Sequence, residues 1–408
     1  MFATLRKYFS PFVNHDEELS FLQIFKPLYG VLSIIGLFPQ AIEFPDGKQC
    51  NKVVIKSTRI NLACTLLIVL VIHGFLVLHL LELSVDSKNS SMTEDGMTVV
   101  NYTVGLIASV LFCTVSYFSV IRDRSLYITI LNAMDDCWDR LAKEDRKVLL
   151  GRLRVQVNCV VLGSVLVTTI LLNIATYTGD YNIWKMILVG LTFVLPEMIQ
   201  FVVIAFYFVM ALMLVALLKN IEEQFKTILR ARNNVQKYCD KADVGLDIAM
   251  AEVRDVYVKT MGIKRQINRA FQAPIMVALL VSFHELISMP HMIYHGLAFQ
   301  SNFSSHDIFE CSCWLFNQLV KMYALAHSGS FLRSQVNRIG RTIHKIPTSA
   351  DQDMKIFLEV QHFSSLMAFQ ETQITVYGYF SLDATLMFNI VVSATMYLVI
   401  LVQLDKHD

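Results

Sequence analysis

Residues 60–82 read INLACTLLIVLVIHGFLVLHLLE. A helix that crosses the ~30 Å hydrocarbon layer needs ~20 mostly apolar residues, and this run meets that length. Six further stretches pass the same test: 99–121, 155–176, 184–217, 271–296, 307–328 and 383–404. At ~1.5 Å per residue the fourth is too long for one crossing, so it is expected to tilt or to run on as a projecting helix. An eighth apolar stretch, FLQIFKPLYGVLSIIGLFPQAIEF (21–44), is broken by Pro27, Gly30 and Pro39. Its unbroken part is too short to cross, and it reads as a re-entrant or interfacial segment.

The composition agrees. The chain is 54% hydrophobic and only 17% charged, against about a quarter charged in soluble proteins. A net charge of +1 gives no basic face for nucleic acid. Sixteen Gly and eight Pro are too few for a disordered or collagen-like chain. The N-terminus, MFATLRKYFSPFVNHDEEL, lacks the apolar core and small-residue site of a removable signal peptide, so delivery is expected to fall to the first span.

Orientation follows from Lys and Arg. The segment before residue 60 carries seven, and the successive connections carry one (84–98), eight (122–154), none (177–183), eleven (218–270), none (297–306) and five (329–382). Lys406 lies in the tail, and alternate segments hold 31 against 2. The positive-inside rule then puts the N-terminus in the cytoplasm and the C-terminus outside. Three N-x-S/T sequons, at Asn89, Asn101 and Asn302, fall in or beside the external segments and mark a glycoprotein. The cysteines at 50, 64, 113, 137, 159 and 239 lie in spans or cytoplasmic segments. Cys311 and Cys313 are near the outer face but two residues apart, so no structural disulfide is expected.

The cytoplasmic connections are long and periodic. Leu218, Ile221, Phe225, Ile228 and Leu229 recur at helical spacing, as do Val253, Val256, Thr260, Ile263, Ile267 and Phe271, and then Ile356, Val360, Phe363 and Met367. Such helices pack either within one chain or between subunits. The expected fold is all-α: a polytopic membrane protein with seven transmembrane helices, a cytoplasmic N-terminus and a helical cytoplasmic anchor domain. Residues 1–59 form the N-terminal segment, and 60–328 carry transmembrane helices 1–6 with extensions at 218–270. Residues 329–382 form anchor helices, and 383–408 form the last span with a short external tail.

Several chemistries are excluded. His284-Glu285-Leu286-Ile287-Ser288 begins like HExxH but ends in Ser288, so a zinc protease is excluded on this motif. HSGS (327–330) lacks the G-x-S-x-G frame, and no phosphate-binding loop occurs. Thr375-Val376-Tyr377-Gly378-Tyr379 has the composition of a potassium filter in the wrong order. No enzyme, metal or cofactor is expected. Seven spans with an internal N-terminus is the reverse of a G-protein-coupled receptor. NPxxY is missing, and Arg122-Asp123-Arg124 follows the second span rather than the third.

The chain closes on SATMYLVILVQLDKHD (393–408). Here Tyr397, five hydrophobic residues and Gln403 resemble the signature of the insect gustatory receptor family, which is Thr-Tyr, five hydrophobic residues and Gln-Phe. Met396 stands at the Thr position and Leu404 at the Phe position. ITVYGYFSLDATLMFNIVVSA (374–394) is similar to that family's approach to its last span. The resemblance implies a seven-transmembrane chemoreceptor ion channel related to insect odorant receptors. It further implies a plasma-membrane homotetramer, gated by a small-molecule tastant and passing cations without strong selectivity. The last span of each subunit would then line the pore. A bitter or plant-derived compound is favoured as agonist, a sugar is possible, and a co-receptor is compatible. An odorant-receptor-like channel, or a transporter using Glu197, Glu285 and Lys321, is the alternative.

Four copies of that helix about an axis would align Met396, Ile400 and Gln403. Ile400 would give an apolar ring that closes a pore by expelling water, and Gln403 a ring of amides that replaces part of an ion's hydration shell. On residue chemistry alone, a buried span with an interhelical Gln is the simpler reading. Ionisable groups within spans mark candidate sites: Glu197, His284, Glu285, His291 and Lys321, with Glu197, Glu285 and Lys321 near mid-depth. Outward of these, Thr169, Asn173, Trp184, Phe193, Tyr294, Trp314 and Gln318 offer aromatic walls with amides and hydroxyls, suited to a small polar or amphipathic ligand.

Overall fold

The computed structural model describes residues 20–44, 54–57, 59–89, 96–141, 146–177, 183–238, 246–299, 303–346 and 354–404. Cys50, Cys239, Asn302 and the tail beyond residue 404 lie outside them. In chain order the helices are α1 (Lys26–Ile34), α2 (Arg59–Asn89), α3 (Gly96–Arg122), α4 (Arg124–Arg140), α5 (Arg146–Tyr177), α6 (Ile183–Val189), α7 (Leu195–Tyr238), α8 (Leu246–Phe299), α9 (Ser305–Ile343), α10 (Met354–Phe369) and α11 (Ala384–Leu404). Two short antiparallel pairs interrupt them: β1 (Ala41–Glu43) with β2 (Val54–Ser57), and β3 (Thr375–Val376) with β4 (Phe380–Ser381).

Among the described residues, six helices are long and apolar enough to cross a membrane. The expected sixth span, 307–328, lies within α9, whose inward face is diluted by the buried Asn317, Gln318 and Lys321. Length separates two kinds of helix. At ~1.5 Å per residue the 44 residues of α7 and the 54 of α8 reach roughly 65 and 80 Å, about two and nearly three times the ~30 Å hydrocarbon thickness. The periodic positions 218–229 and 253–271 are therefore continuations of spans, and Leu218, Ile221, Phe225, Val256, Ile267 and Phe271 are all buried.

Burial ranks the helices. In Met186–Ala231, 89% of the apolar window is buried, against 6% in Ala384–Gln403. The central strut is thus α7, packed against α5, α8 and α9, while α11 leans on α8 and α9 with most of its surface uncovered.

The broken segment 21–44 is packed into the bundle. Its short helix α1 ends at Gly36, whose φ of +71° is easy only for glycine, and an added Cβ there would lie 3.1 Å from the Thr65 Cα. Thr65 Oγ1 donates to the Gly36 carbonyl (2.8 Å), and Tyr117 Oη to the Ile35 carbonyl (2.7 Å). Phe25 and Phe38 then meet Phe206, with Tyr127 and Phe271 beside it.

Candidate functional site

Pro196 sets the local geometry of the fourth span. Its ring collides with the carbonyl four residues back and it donates no N–H. Just ahead of it, Gly190–Val194 form a π-helical turn, a widening that often marks a functional site. One turn later the helix faces inward with Glu197 and, three residues on, Gln200.

Opposite them, α9 presents Asn317, Gln318 and Lys321. Lys321 Nζ donates to Glu197 Oε1 and to Gln200 Oε1, each at 2.5 Å. Glu197 Oε1 also accepts from Asn317 Nδ2 (2.5 Å) and Gln318 Nε2 (2.9 Å). Gln318 Oε1 accepts from Ser282 Oγ of α8 at 3.0 Å, and Gln200 Nε2 donates to the Ala278 carbonyl at 3.1 Å. Lys321 is 1% exposed and Glu197 6%, so the charges are compensated here or nowhere. Burying an ion pair is costly, and the surrounding amides offset part of that by satisfying the remaining donors and lone pairs.

Glu285 is the exception. It is 8% exposed, within electrostatic reach of Glu197 and Lys321, and its Oε2 has no hydrogen-bond partner among the described residues. Asn317 Oδ1 is unpartnered in the same sense. Gly105 of α3 makes room beside it, since a Cβ there would meet His284 Nε2 at 3.4 Å and Glu285 Oε1 at 3.6 Å.

A second polar group lies against the π turn. Thr192 Oγ1 donates to the Leu188 carbonyl (2.8 Å), so it accepts from His79 Nδ1 (2.8 Å). His79 Nε2 then accepts from Tyr102 Oη at 3.0 Å. Phe193 packs on Tyr102 with ring centroids 4.9 Å apart and on His79 at 6.0 Å.

The structure thus brings together Glu197, Lys321 and Gln318, with Glu285 and His284 adjoining and Phe193 at the second group. His291 is buried and stacks at 6.3 Å on His295, and Tyr294 meets Phe299. Trp314 is half-buried beside Glu310, while Trp184 is 44% exposed beside Phe75. Thr169 and Asn173 do not join: both sit on the exposed face of α5, bonded to their own helix. Sequence reading missed Gln200, Ser282, His79, Tyr102 and Thr192. The first carried a usable signal, lying one turn from Glu197 on the same face. Asn101 is half-buried within α3, and its Nδ2 has no hydrogen-bond partner among the described residues. No group of three or more His, Cys, Asp or Glu among the described residues is placed to hold a metal ion.

The closing segment is built for a sharp approach. Tyr377 and Gly378 have φ of +50° and +75° in a turn closed by the Tyr379 N–H on the Val376 carbonyl (3.0 Å). TVYGY is therefore a hairpin tip. Asp383 Oδ1 accepts from the N–H groups of Thr385 and Leu386 and caps α11. Beyond it Met396 (65%), Ile400 (50%) and Gln403 are exposed along one side of the helix.

The sequence profile of the family described as 7tm Chemosensory receptor matches residues 25–407. The chain belongs to that family. The resemblance to the insect chemoreceptors is borne out, and so is the all-α, polytopic membrane fold. A family of receptors, not of enzymes, accounts for the failed catalytic motifs. Gustatory receptor 68a of Drosophila melanogaster is 23% identical over 163 residues, 39% of this chain and 41% of that relative. The fold is similar to that of the insect olfactory receptor OR5 from Machilis hrabei in complex with eugenol, with TM-score 0.73, 12% identity and coverage of 94% of this chain and 99% of that one. The same receptor alone gives TM-score 0.72 at 10% identity, covering 94% and 98%.

Proposed function

We propose that this chemosensory receptor is a tastant-gated, non-selective cation channel of the plasma membrane, assembled as a homotetramer with its N-terminus in the cytoplasm. The observation that carries the reading is the state of α11. It is a highly apolar helix with only 6% of its apolar window buried, and its uncovered side carries Met396, Ile400 and Gln403. A helix clothed in lipid has no use for an exposed amide. Four copies around an axis give that amide water and ions to face.

The anchor helices favour assembly as well. On α10, Met354, Leu358 and Phe369 are 57%, 54% and 90% exposed, beside an open groove of about 410 Å³ lined by His344, Phe357, Gln361 and Ser364. Apolar surface outside the bilayer asks for a partner subunit. Ligand binding in the outer half of the bundle, near His79, Tyr102, Phe193 and Glu285, would open the pore by favouring the open arrangement over the closed one. A bitter or plant-derived compound suits aromatic walls with few polar groups, and a sugar would use the same unpartnered acceptors.

The OR5 fold match gives an odorant-gated channel as the second reading. Patch recordings from cells expressing this chain alone, challenged with bitter compounds, sugars and plant volatiles, separate the two. Gln403→Ala is expected to alter ion permeability, and unchanged permeation, rectification and dose response would remove the amide ring from the pore.

A further inference from the structure

Three helices bring cations and aromatic rings to one place at the Lys- and Arg-rich end of the bundle. Lys219 is the first charged residue after the apolar stretch 198–218 of α7, and it is half-buried. Its Nζ stands 4.8 Å above the ring of Phe331 from α9. Arg338, two turns along α9, and Arg152, at the foot of α5, both lie within electrostatic reach of Lys219.

These charges repel one another, and the nearby carboxylate of Glu222 relieves Lys219 only in part. Glu222 is already occupied by Lys226 Nζ (2.8 Å), Gln335 Nε2 (2.6 Å) and Arg338 Nε (3.6 Å). Among the described residues Lys219 has no ion-pair partner, and Arg152 has none. A cationic cluster whose one nearby acid is shared among several partners is complementary to an anion from outside.

The rings say which kind of anion. Tyr323, His327 and Phe331 repeat every fourth residue of α9 and stack at 5.5 and 5.6 Å, nearly parallel. Tyr323 and His327 are exposed, so the column lies on the uncovered face of α9 and ends beneath Lys219. A soluble phosphate would contact the cations and leave the column unused. A phospholipid uses both, with rings at the interface and basic groups on the phosphate.

We propose that Arg152, Lys219 and Arg338 hold the phosphate headgroup of an anionic phospholipid of the cytoplasmic leaflet, whose acyl chains run along Tyr323, His327 and Phe331. The bound lipid would tie α5, α7 and α9 together at the level where the spans become anchor helices. The site rests on the orientation given by the charge count and is independent of channel activity, so its test does not need an agonist.

The test is native mass spectrometry of the purified full chain, with phosphatidylinositol 4-phosphate and phosphatidylcholine of identical acyl chains. Preferential retention of the anionic lipid is expected. Lys219→Gln and Arg152→Gln should each weaken it roughly 5-fold, and together roughly 30-fold, from the interaction of one basic residue with an anionic lipid surface. Arg124→Gln, an equal loss of charge on α4, should leave retention unchanged. Phe331→Ala should weaken it with no change in charge. Arg152 is exposed, so its variant keeps the proposal testable if Lys219→Gln unfolds. Equal retention of both lipids, a double variant that binds as the parent does, or competition by soluble inositol phosphate as strong as by the whole lipid would each overturn the site.

Discussion

The carbonyl oxygen of Leu382 occupies the space that a side chain on Gly329 would need: a Cβ there would lie 1.8 Å from it. Leu382 is the last residue of the hairpin before the Asp383 cap, and Gly329 sits mid-way along α9. The chain therefore enters α11 pressed against the backbone of the helix that holds Lys321 two turns earlier. A shift of α9 cannot avoid moving the start of α11.

Gly329→Ala must displace backbone rather than a flexible side-chain tip. The expected cost is roughly 1–3 kcal/mol, as for other overpacked sites. Gly340→Ala is the control, since its added methyl would meet the flexible tip of Met367, Cε, at 3.4 Å. The purified Gly329→Ala protein should melt several degrees below its parent, and the Gly340→Ala protein within a degree or so of it. Equal melting of the two would deny the close passage at Leu382.

The Glu197–Lys321 pair makes a prediction of non-additivity. Lys321→Met leaves a buried carboxylate, and Glu197→Gln leaves a buried ammonium, so each single change is expected to cost roughly 3–5 kcal/mol. The double variant removes both charges and should recover much of that loss. Thermal unfolding of the four proteins in one lipid composition gives the coupling. Additive losses would mean that the two side chains do not compensate each other.

How much of this was legible beforehand differs from residue to residue. Glu197, Glu285 and Lys321 stand out because a charge within an apolar run has few ways to be stable. The extensions of α7 and α8 were legible because charges reappear on one side while Phe225 and Phe271 keep the helical spacing. The outward placement of Thr169 and Asn173 was not. In a span both the lipid face and the packed face are apolar, so α5 carries no sided pattern to say which way a hydroxyl turns. His79 and Tyr102 were missed for a related reason: their value lies in a hydrogen-bond chain across three helices, which no single stretch records. The 6% burial of α11 was equally hidden, because composition alone does not tell a buried apolar helix from an uncovered one.

The linker into the hairpin is held from below. Lys264 Nζ donates to the carbonyls of Glu371 (2.5 Å) and Gln373 (2.6 Å), and Asn268 Nδ2 to that of Thr375 (2.8 Å). Lys264 is 4% exposed, so Lys264→Met keeps the packing stem and removes the donors. Hydrogen–deuterium exchange should accelerate in peptides covering 370–383, where the Leu382 N–H bonds the Ile374 carbonyl, and not in α7. Unchanged exchange in that segment would show that Val376 and Leu382 anchor it without the cation.

Ile400 offers the sharpest test of the pore reading. One turn inward of Gln403, it is 50% exposed on a helix whose other face rests on α8 and α9. If four copies meet at an axis, their side chains form the ring that keeps the closed pore dry. Water is expelled from such a constriction only while it is both narrow and apolar. Ile400→Ser changes both at once and should give a leak current without any agonist. Ile400→Leu keeps apolar character and volume and should stay shut. Whole-cell conductance in agonist-free solution, normalised to surface protein, reads the difference directly. A silent Ser variant that reaches the surface in parental amounts would place the gate elsewhere, and a leaky Leu variant would point to packing rather than wetting as the barrier.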